Sequence, residues 1–288
     1  MINQVTTLKM TEFVLGEDSR KDATKSLKSL LKHTTSTQDK QSIYVIINIK
    51  IPILRQKDYT PRIIPLTHKL DKITSKSILL ITKDPSTPYR KTLTESKLTE
   101  GIFTNILSFT KLKSLMKNPK NSTKLFKEND IIVCDWRVYK FMPQVLGNKF
   151  YIKNKKVPYK IQFAPQDPTI PKKERSKDVR CDEKYVYAQL KSIIGNTSYI
   201  PTDNGDCVCV KIGYNQMEVS ELMENLNCVI DYFVDEDKFG PIGGGVLRGV
   251  ENLGNVFVKT SDSISLPVFI RSKEEKEEVD ENDSDFDF

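Results

Sequence analysis

Apolar residues along the chain fall into short runs divided by charged or turn-forming stretches, and the period of each run names an element. Ile43–Ile51 is β-branched and nearly continuous in hydrophobicity, the pattern of a strand covered on both faces, and Pro52 ends it. Pro61–Leu66 predicts a second extended segment, which its prolines confine to an edge or a strand end. Ser77–Thr82 and Ile131–Cys134 are short apolar strands. Phe103, Ile106, Leu107 and Phe109–Met116 recur loosely at a helical period, and Asp135–Leu146 reads as a helix that Gly147 stops. Strands alternating with helices predict a parallel-sheet, Rossmann-like unit between about Leu70 and Tyr159.

Flanking this unit the pattern is different. The first twenty or so residues lack apolar periodicity, whereas Leu27, Leu30 and Leu31 place a short helix over Ala23–His33. Val157–Lys177 is polar, holds Pro158, Pro165, Pro168 and Pro171, and reads as a linker leaving the Rossmann-like unit. Cys181–Ile194 is a helix with Val186, Leu190, Ile193 and Ile194 on one face; Cys207–Ile212 is a strand. Val219, Leu222, Leu226, Val229 and Phe233 mark another helix, and strands over Asn255–Thr260 and Ile264–Ile270 close the series.

Composition narrows the class. The 288 residues are 38% hydrophobic and 29% charged, enough for two domains, and no run nears the ~20 apolar residues of a membrane span. The N-terminus has no charged flank before an apolar run, which predicts an intracellular protein without a secretory signal. Five cysteines without a Cys-X-X-Cys pair, and two distant histidines, argue against a disulfide framework or a zinc site. The formal charge of +7 is an average: residues 273–288 carry −7, and Lys111–Arg180 alone carries +12. So concentrated a basic segment points to a polyanionic partner.

The glycine-rich Gly240–Gly245 fails the phosphate-loop pattern, because Val246-Leu-Arg-Gly249 follows where a Lys-Ser/Thr should open a helix. It reads as a connection that needs positive φ. No serine or cysteine has a recognisable histidine base, and no cofactor fingerprint is present, so no enzyme is predicted. In the basic segment, Lys149, Lys153, Lys155, Lys156 and Lys160 interleave with Phe150, Tyr151 and Tyr159. Two readings stand: lysines neutralising phosphate while the rings stack on unpaired bases, or rings facing the core with only the lysines exposed.

Several strings together resemble one family. Pro61-Arg-Ile-Ile-Pro-Leu66, Ile78-Leu-Leu-Ile-Thr-Lys-Asp-Pro85, Asp130-Ile-Ile-Val-Cys-Asp-Trp-Arg-Val138, Met142–Tyr151 and Asn255-Val-Phe-Val-Lys-Thr-Ser261 are similar to the ribosomal protein L-one superfamily. Leu80–Pro85, Gln189–Pro201 and Val258–Pro267 are similar to its fungal nucleolar branch. The resemblance implies an α/β fold of two domains: a split domain from residues 26–68 and 177–272, and a Rossmann-like domain inserted at 69–176. It leaves a flexible N-terminus over 1–25 and an acidic, disordered tail over 273–288. It further implies a non-enzymatic, nucleolar factor of the early pre-ribosome, the small-subunit processome, acting in small-subunit rRNA maturation. The partners would be pre-rRNA, assembly proteins and the U-three snoRNP, without cofactor, metal, small-molecule substrate or membrane. A large-subunit factor or ribosomal protein of the superfamily, or a scaffold without RNA contact, is the alternative.

The family's RNA contact lies mainly in the first domain, at a Thr-Met-Gly turn between its last strands. By that resemblance Lys259, Thr260, Ser261 and Ser263 become RNA-binding candidates, with Asp262 in place of the methionine, and Arg62 matches a family arginine. A Lys-Phe pair before the first long strand is replaced around Gln38-Asp39. A carboxylate at the turn repels phosphate, which shifts the expected contact toward the inserted domain and to Lys149, Lys153, Lys155 and Lys156.

Overall fold

The structure, a computed structural model, describes residues 13–34, 39–54, 56, 58–171, 174–201 and 205–271. The acidic tail, Gln38 and most of the N-terminal segment therefore lie outside the described residues. The first elements are α1 (Gly16–Thr34), β1 (Ser42–Ile49), β2 (Arg62–Ile64), β3 (Ile78–Thr82), α2 (Thr87–Glu95) and β4 (Phe103–Ser108). There follow α3 (Phe109–Met116), α4 (Pro119–Glu128), β5 (Ile131–Asp135), α5 (Met142–Leu146) and β6 (Tyr159–Ile161). The last are α6 (Glu183–Gly195), β7 (Thr197–Tyr199), β8 (Cys207–Tyr214), α7 (Val219–Val234), α8 (Glu236–Phe239), β9 (Leu253–Thr260) and β10 (Leu266–Phe269). They form two compact units, one from Met1–Gln56, Ile64–His68 and Thr202–Phe288, the other from Lys57–Ile63 and Lys69–Pro201.

The split unit is a four-stranded antiparallel sheet, β10-β9-β1-β8, with α1 and α7 packed on it. Along β1, buried Ile43, Val45, Ile47 and Ile49 alternate with half-buried neighbours. This corrects the expectation of a strand covered on both faces: the helices bury one face, and Tyr44, Ile46 and Asn48 lie on the other, where a β-branched strand remains stable with partial cover. α1 begins at Gly16, ahead of the expected Ala23, because buried Phe13 and the bond from Val14 N–H to Asn227 Oδ1 anchor its entry. Its early residues Glu17–Asp22 are polar and outward, so they leave no apolar period to read. Gly245 has φ +64, and a Cβ there would lie 2.2 Å from Glu236 Cα, so the glycine-rich loop is indeed a structural connection.

One buried polar residue ties this unit together. Asn225 on α7 is fully buried; its amide donates to the His68 and Ile212 carbonyls at 3.0 and 2.9 Å and its oxygen accepts from His68 N–H at 2.9 Å. Asn225→Ala is expected to lower stability by about 1–3 kcal/mol, since it strands buried backbone groups. Urea unfolding monitored by circular dichroism checks this, and a loss within 0.5 kcal/mol (about the spread of surface substitutions) would contradict it.

The other unit has a parallel sheet in the order β4-β3-β5-β6, and every residue of β3 is buried. One face carries α2 and α6, through Tyr89, Leu93, Val186, Leu190, Ile193 and Ile194. The opposite face carries α3, α4 and α5, through Leu112, Leu125, Met142 and Leu146. β2 and β7 form a separate two-stranded sheet, which gives the proline-flanked segment the edge position expected of it.

Three expectations change here. Residues Phe103–Ser108 are a strand, not the start of a helix: Phe103, Ile106, Leu107 and Phe109 mimic a helical period because β4 is an edge strand, with exposed Thr104 and Asn105. Val157–Lys177 is not a linker throughout, since β6, Val157, Ile161 and Phe163 complete the sheet and its core. The return to the split unit falls after Pro201 and not at Lys177, because α6 covers the parallel sheet and carries residues 177–201 with the inserted unit.

Candidate nucleic-acid interface

The apolar side of α3 and α4 is narrow, a single buried leucine on each, so their remaining surface is free for charge. Lys111, Lys113, Lys117, Lys120, Lys124 and Lys127 are all exposed. From Phe109 to Lys156 the chain holds eleven lysines against three acids, and one of those acids, Asp135, is fully buried. Glu128 pairs with Lys124 at 3.7 Å, an exposed contact too weak to cancel the field of the others. Asp130 instead serves the fold: it accepts from Ser77 N–H and Oγ at 2.9 and 2.8 Å, bonds that hold its carboxyl below the usual carboxylate range despite the opposing effect of partial burial.

The lysines singled out in the sequence divide on this scaffold. Residues Lys149–Lys153 form a π-helical turn that buries Phe150 and Tyr151. Lys149 Nζ donates to Thr123 Oγ1 at 2.7 Å, while Lys156 Nζ donates to the Phe126 and Asn129 carbonyls and stands 4.2 Å from the Phe126 ring centroid. Burial in this seat pulls the Lys156 ammonium below the ordinary lysine range, with Asp130 pulling the other way. Lys149 and Lys156 therefore clamp the turn to α4, and Lys153 and Lys155 stay exposed. The rings are core: Phe150 packs edge-on to Phe126 at 5.4 Å, Tyr151 to Tyr59 at 5.3 Å, and the Tyr159 hydroxyl meets Ser198 Oγ at 2.7 Å. Of the two readings left open by the sequence, the one with rings inward holds.

The other candidates are scattered. Arg62 opens β2 in the inserted unit, beside the Tyr199 phenol, whose pKa burial raises and the Arg62 charge lowers. In the split unit Lys259 is half-buried and Thr260 buried. Ser263 Oγ accepts from Thr260 N–H at 2.9 Å and donates to the Ile264 carbonyl at 3.0 Å, which closes the β9–β10 turn and uses the hydroxyl internally. Ser261 and Asp262 stand exposed at its tip.

Comparison with known proteins completes the description. The model of the ribosomal protein L1p/L10e family matches residues 30–264. The chain belongs to this family. It is 39% identical over 91% of its length to the "Ribosome biogenesis protein UTP30" of Saccharomyces cerevisiae, 94% of which is covered. It is 25% identical to the "Putative ribosome biogenesis protein C306.07c" of Schizosaccharomyces pombe, over 85% of this chain and 77% of that one. The "Ribosomal L1 domain-containing protein 1" of Mus musculus is 24% identical over 72% of this chain and 40% of its own.

As a ribosomal protein L1p/L10e family member, the chain keeps the α/β architecture that its motifs imply. What sequence reading missed is the lysine face of α3 and α4. A signal was present: Lys120, Lys124 and Lys127 recur at the period of one helical face, while their apolar complement is too sparse to announce the helix. Also missed is the exposed aromatic edge of the parallel sheet, where Trp136 and Phe141 follow β5 and are 41% and 40% exposed. Among the described residues, no three His, Cys, Asp or Glu gather to hold a metal, and no helix is long and apolar enough to cross a membrane.

Proposed function

We propose that this family member is a non-enzymatic assembly factor of the early nucleolar pre-ribosome, acting in small-subunit rRNA maturation by holding pre-rRNA on the α3–α4 lysine face. The observation that supports it is that face: six exposed lysines on α3, α4 and the turn between them, where Glu128 is the single acid in residues 109–128, in a chain whose relatives are named for ribosome biogenesis. Lysine-to-phosphate contacts supply most of the affinity and make it salt-dependent. Duplex RNA is then recognised by shape, since its deep groove hides the base edges. Assembly proteins and the U-three snoRNP are its neighbours in the nucleolus on this reading. The turn at Ser261–Ser263 is secondary, because Ser263 is already engaged and Asp262 opposes phosphate.

Changing Lys113, Lys117, Lys120 and Lys124 together to Gln is expected to flatten the slope of log affinity for duplex RNA against log salt by about 0.9 for each phosphate left without its lysine. Lys259→Gln is expected to change it by no more than one such step. An unchanged slope in the fourfold variant, with a collapse in Lys259→Gln, would return the RNA to the split unit. In cells, purification of the tagged protein followed by sequencing of crosslinked RNA is expected to recover the small-subunit precursor. Recovery of mature large-subunit RNA alone would reject the small-subunit assignment, and absence of RNA crosslinks would leave a protein scaffold.

A further inference from the structure

All four strands of the inserted unit's sheet run parallel, so the residues that follow them share one edge. In open α/β sheets ligands bind outside the carboxyl ends of the strands, at the topological switch point, which here falls between β3 and β5. On the same edge, at the neighbouring ends of β5 and β6, lies a cavity of about 250 Å3, lined among others by Trp136 after β5, Gln162 and Phe163 after β6, and Pro165, Gln166 and Arg175 from the segment beyond. We propose that this crevice receives one unpaired base of the bound RNA, stacked on Trp136, with its sugar-phosphate chain running out toward Lys140. The inference rests on the RNA-binding reading and adds to it a single-stranded subsite apart from the lysine face.

The charge of the cavity selects a base over a phosphate. Arg180 is held by Asp178 at 2.7 Å and Asp167 at 3.2 Å, and Arg137 by Asp135 at 2.5 Å behind the wall. Arg175 donates to the Ile170 carbonyl and Gln166 Oε1, both at 3.3 Å, contacts at the long end of hydrogen bonding. With buried Asp135 counted behind the wall, three guanidiniums are balanced by three carboxylates, and Arg175, which meets only neutral acceptors, is the one cation of the lining without a carboxylate beside it. A neutral, flat, hydrogen-bonding group suits it. Trp136 provides an exposed π-face, Gln162 and Gln166 bring amides that can meet a base edge, and Arg175 offers a planar cation within reach. A protein anchor would call for a dry apolar seat, whereas here Phe163, Pro165 and Ile170 are interleaved with amides and ion pairs. For the chain beyond the base, the nearest lysine in sequence is Lys140, four residues after Trp136; it is exposed beside Phe141, its Nζ 4.9 Å from that ring, and the Phe141 ring lies 5.9 Å from that of Phe109 at the start of α3.

Trp136 is the only tryptophan in the chain, so its emission reports this crevice alone. Titrating the full-length protein with a single-stranded oligoribonucleotide should quench that emission, and a duplex of equal length should bind without doing so. Trp136→Leu should weaken single-strand binding roughly tenfold and leave duplex binding unchanged, and Trp136→Phe should recover most of the loss, as expected of one stacked base. Circular dichroism of each variant confirms the fold; the Trp136 N–H bond to the Ile161 carbonyl is backbone and survives substitution. Equal quenching by duplex, or an unchanged single-strand affinity in Trp136→Leu, would overturn the subsite while leaving the lysine face intact. The same holds if Trp136→Leu keeps RNA affinity but loses assembly proteins on purification, which would make the crevice a protein-docking site. Failure of both RNAs to bind would remove the RNA-binding reading itself, and this inference with it.

Discussion

Arg137→Met should destabilise the inserted unit by about 3–5 kcal/mol, the loss typical when a buried charge is deprived of its partner. Asp135, at the end of β5, is fully buried, and Arg137 is the cation that answers it. Arg137 Nε reaches the two carboxylate oxygens at 3.0 and 2.9 Å, and Nη2 reaches Oδ2 at 2.5 Å. The same guanidinium donates to the Tyr89 hydroxyl at 2.8 Å and to the Asp178 carbonyl. The substitution therefore breaks a network that joins β5, α2 and the segment before α6, and leaves a carboxylate in the core. A fork of this kind is not replaced by lysine. Unfolding followed by Trp136 emission reads this unit directly. The double variant Asp135→Asn with Arg137→Met should recover a large part of the loss, because removing both charges removes the desolvation penalty as well. A loss under about 1 kcal/mol for the single variant, the range of an exposed pair, would show the carboxylate to be hydrated.

Phe150→Ala should cost a similar amount, about 3–5 kcal/mol. Its ring is fully buried in the π-helical turn and packs on Phe126, whose other neighbours include the Lys149 and Lys156 ammonium groups at 5.6 and 4.2 Å from its centroid. Emptying that space loosens the turn from α4 and both lysine clamps with it. Ile152, two residues on, is 54% exposed, and Ile152→Ala should stay within about 0.5 kcal/mol, as surface substitutions do. The pair also separates the two readings of the aromatic-lysine segment. If Phe150 stacked on RNA, its loss would lower affinity at unchanged stability; as a core ring, it lowers stability and leaves the affinity of the folded fraction intact.

Burial also explains why some elements were legible and others were not. Helix α6 was readable because Val186, Leu190, Ile193 and Ile194 all face one core, and β3 because all its residues are covered. β4 was misread because an edge strand carries polar residues on its open side, and that interrupts the period of two. The boundary at Lys177 was misplaced for a related reason. Prolines and polar residues mark where the backbone leaves regular structure, and they say nothing of which core the next helix will bury. Helix α6 joins the parallel sheet, so the chain crosses back only after Pro201.

The candidate site divides in the same way. Sequence by itself determined the family, the α/β class and the +12 segment, because composition and ordered motifs are one-dimensional properties. It could not decide which lysines are free. Lys149, Lys153, Lys155 and Lys156 have the same chemistry and neighbourhood in the chain, yet two are seated against α4 and two face solvent. Nor could it decide that Phe150 and Tyr151 are core while Trp136 and Phe141 stand at the open edge of the sheet. Only tertiary packing made those distinctions, since the accessibility of a ring or an ammonium depends on residues far along the chain that cover it or leave it bare.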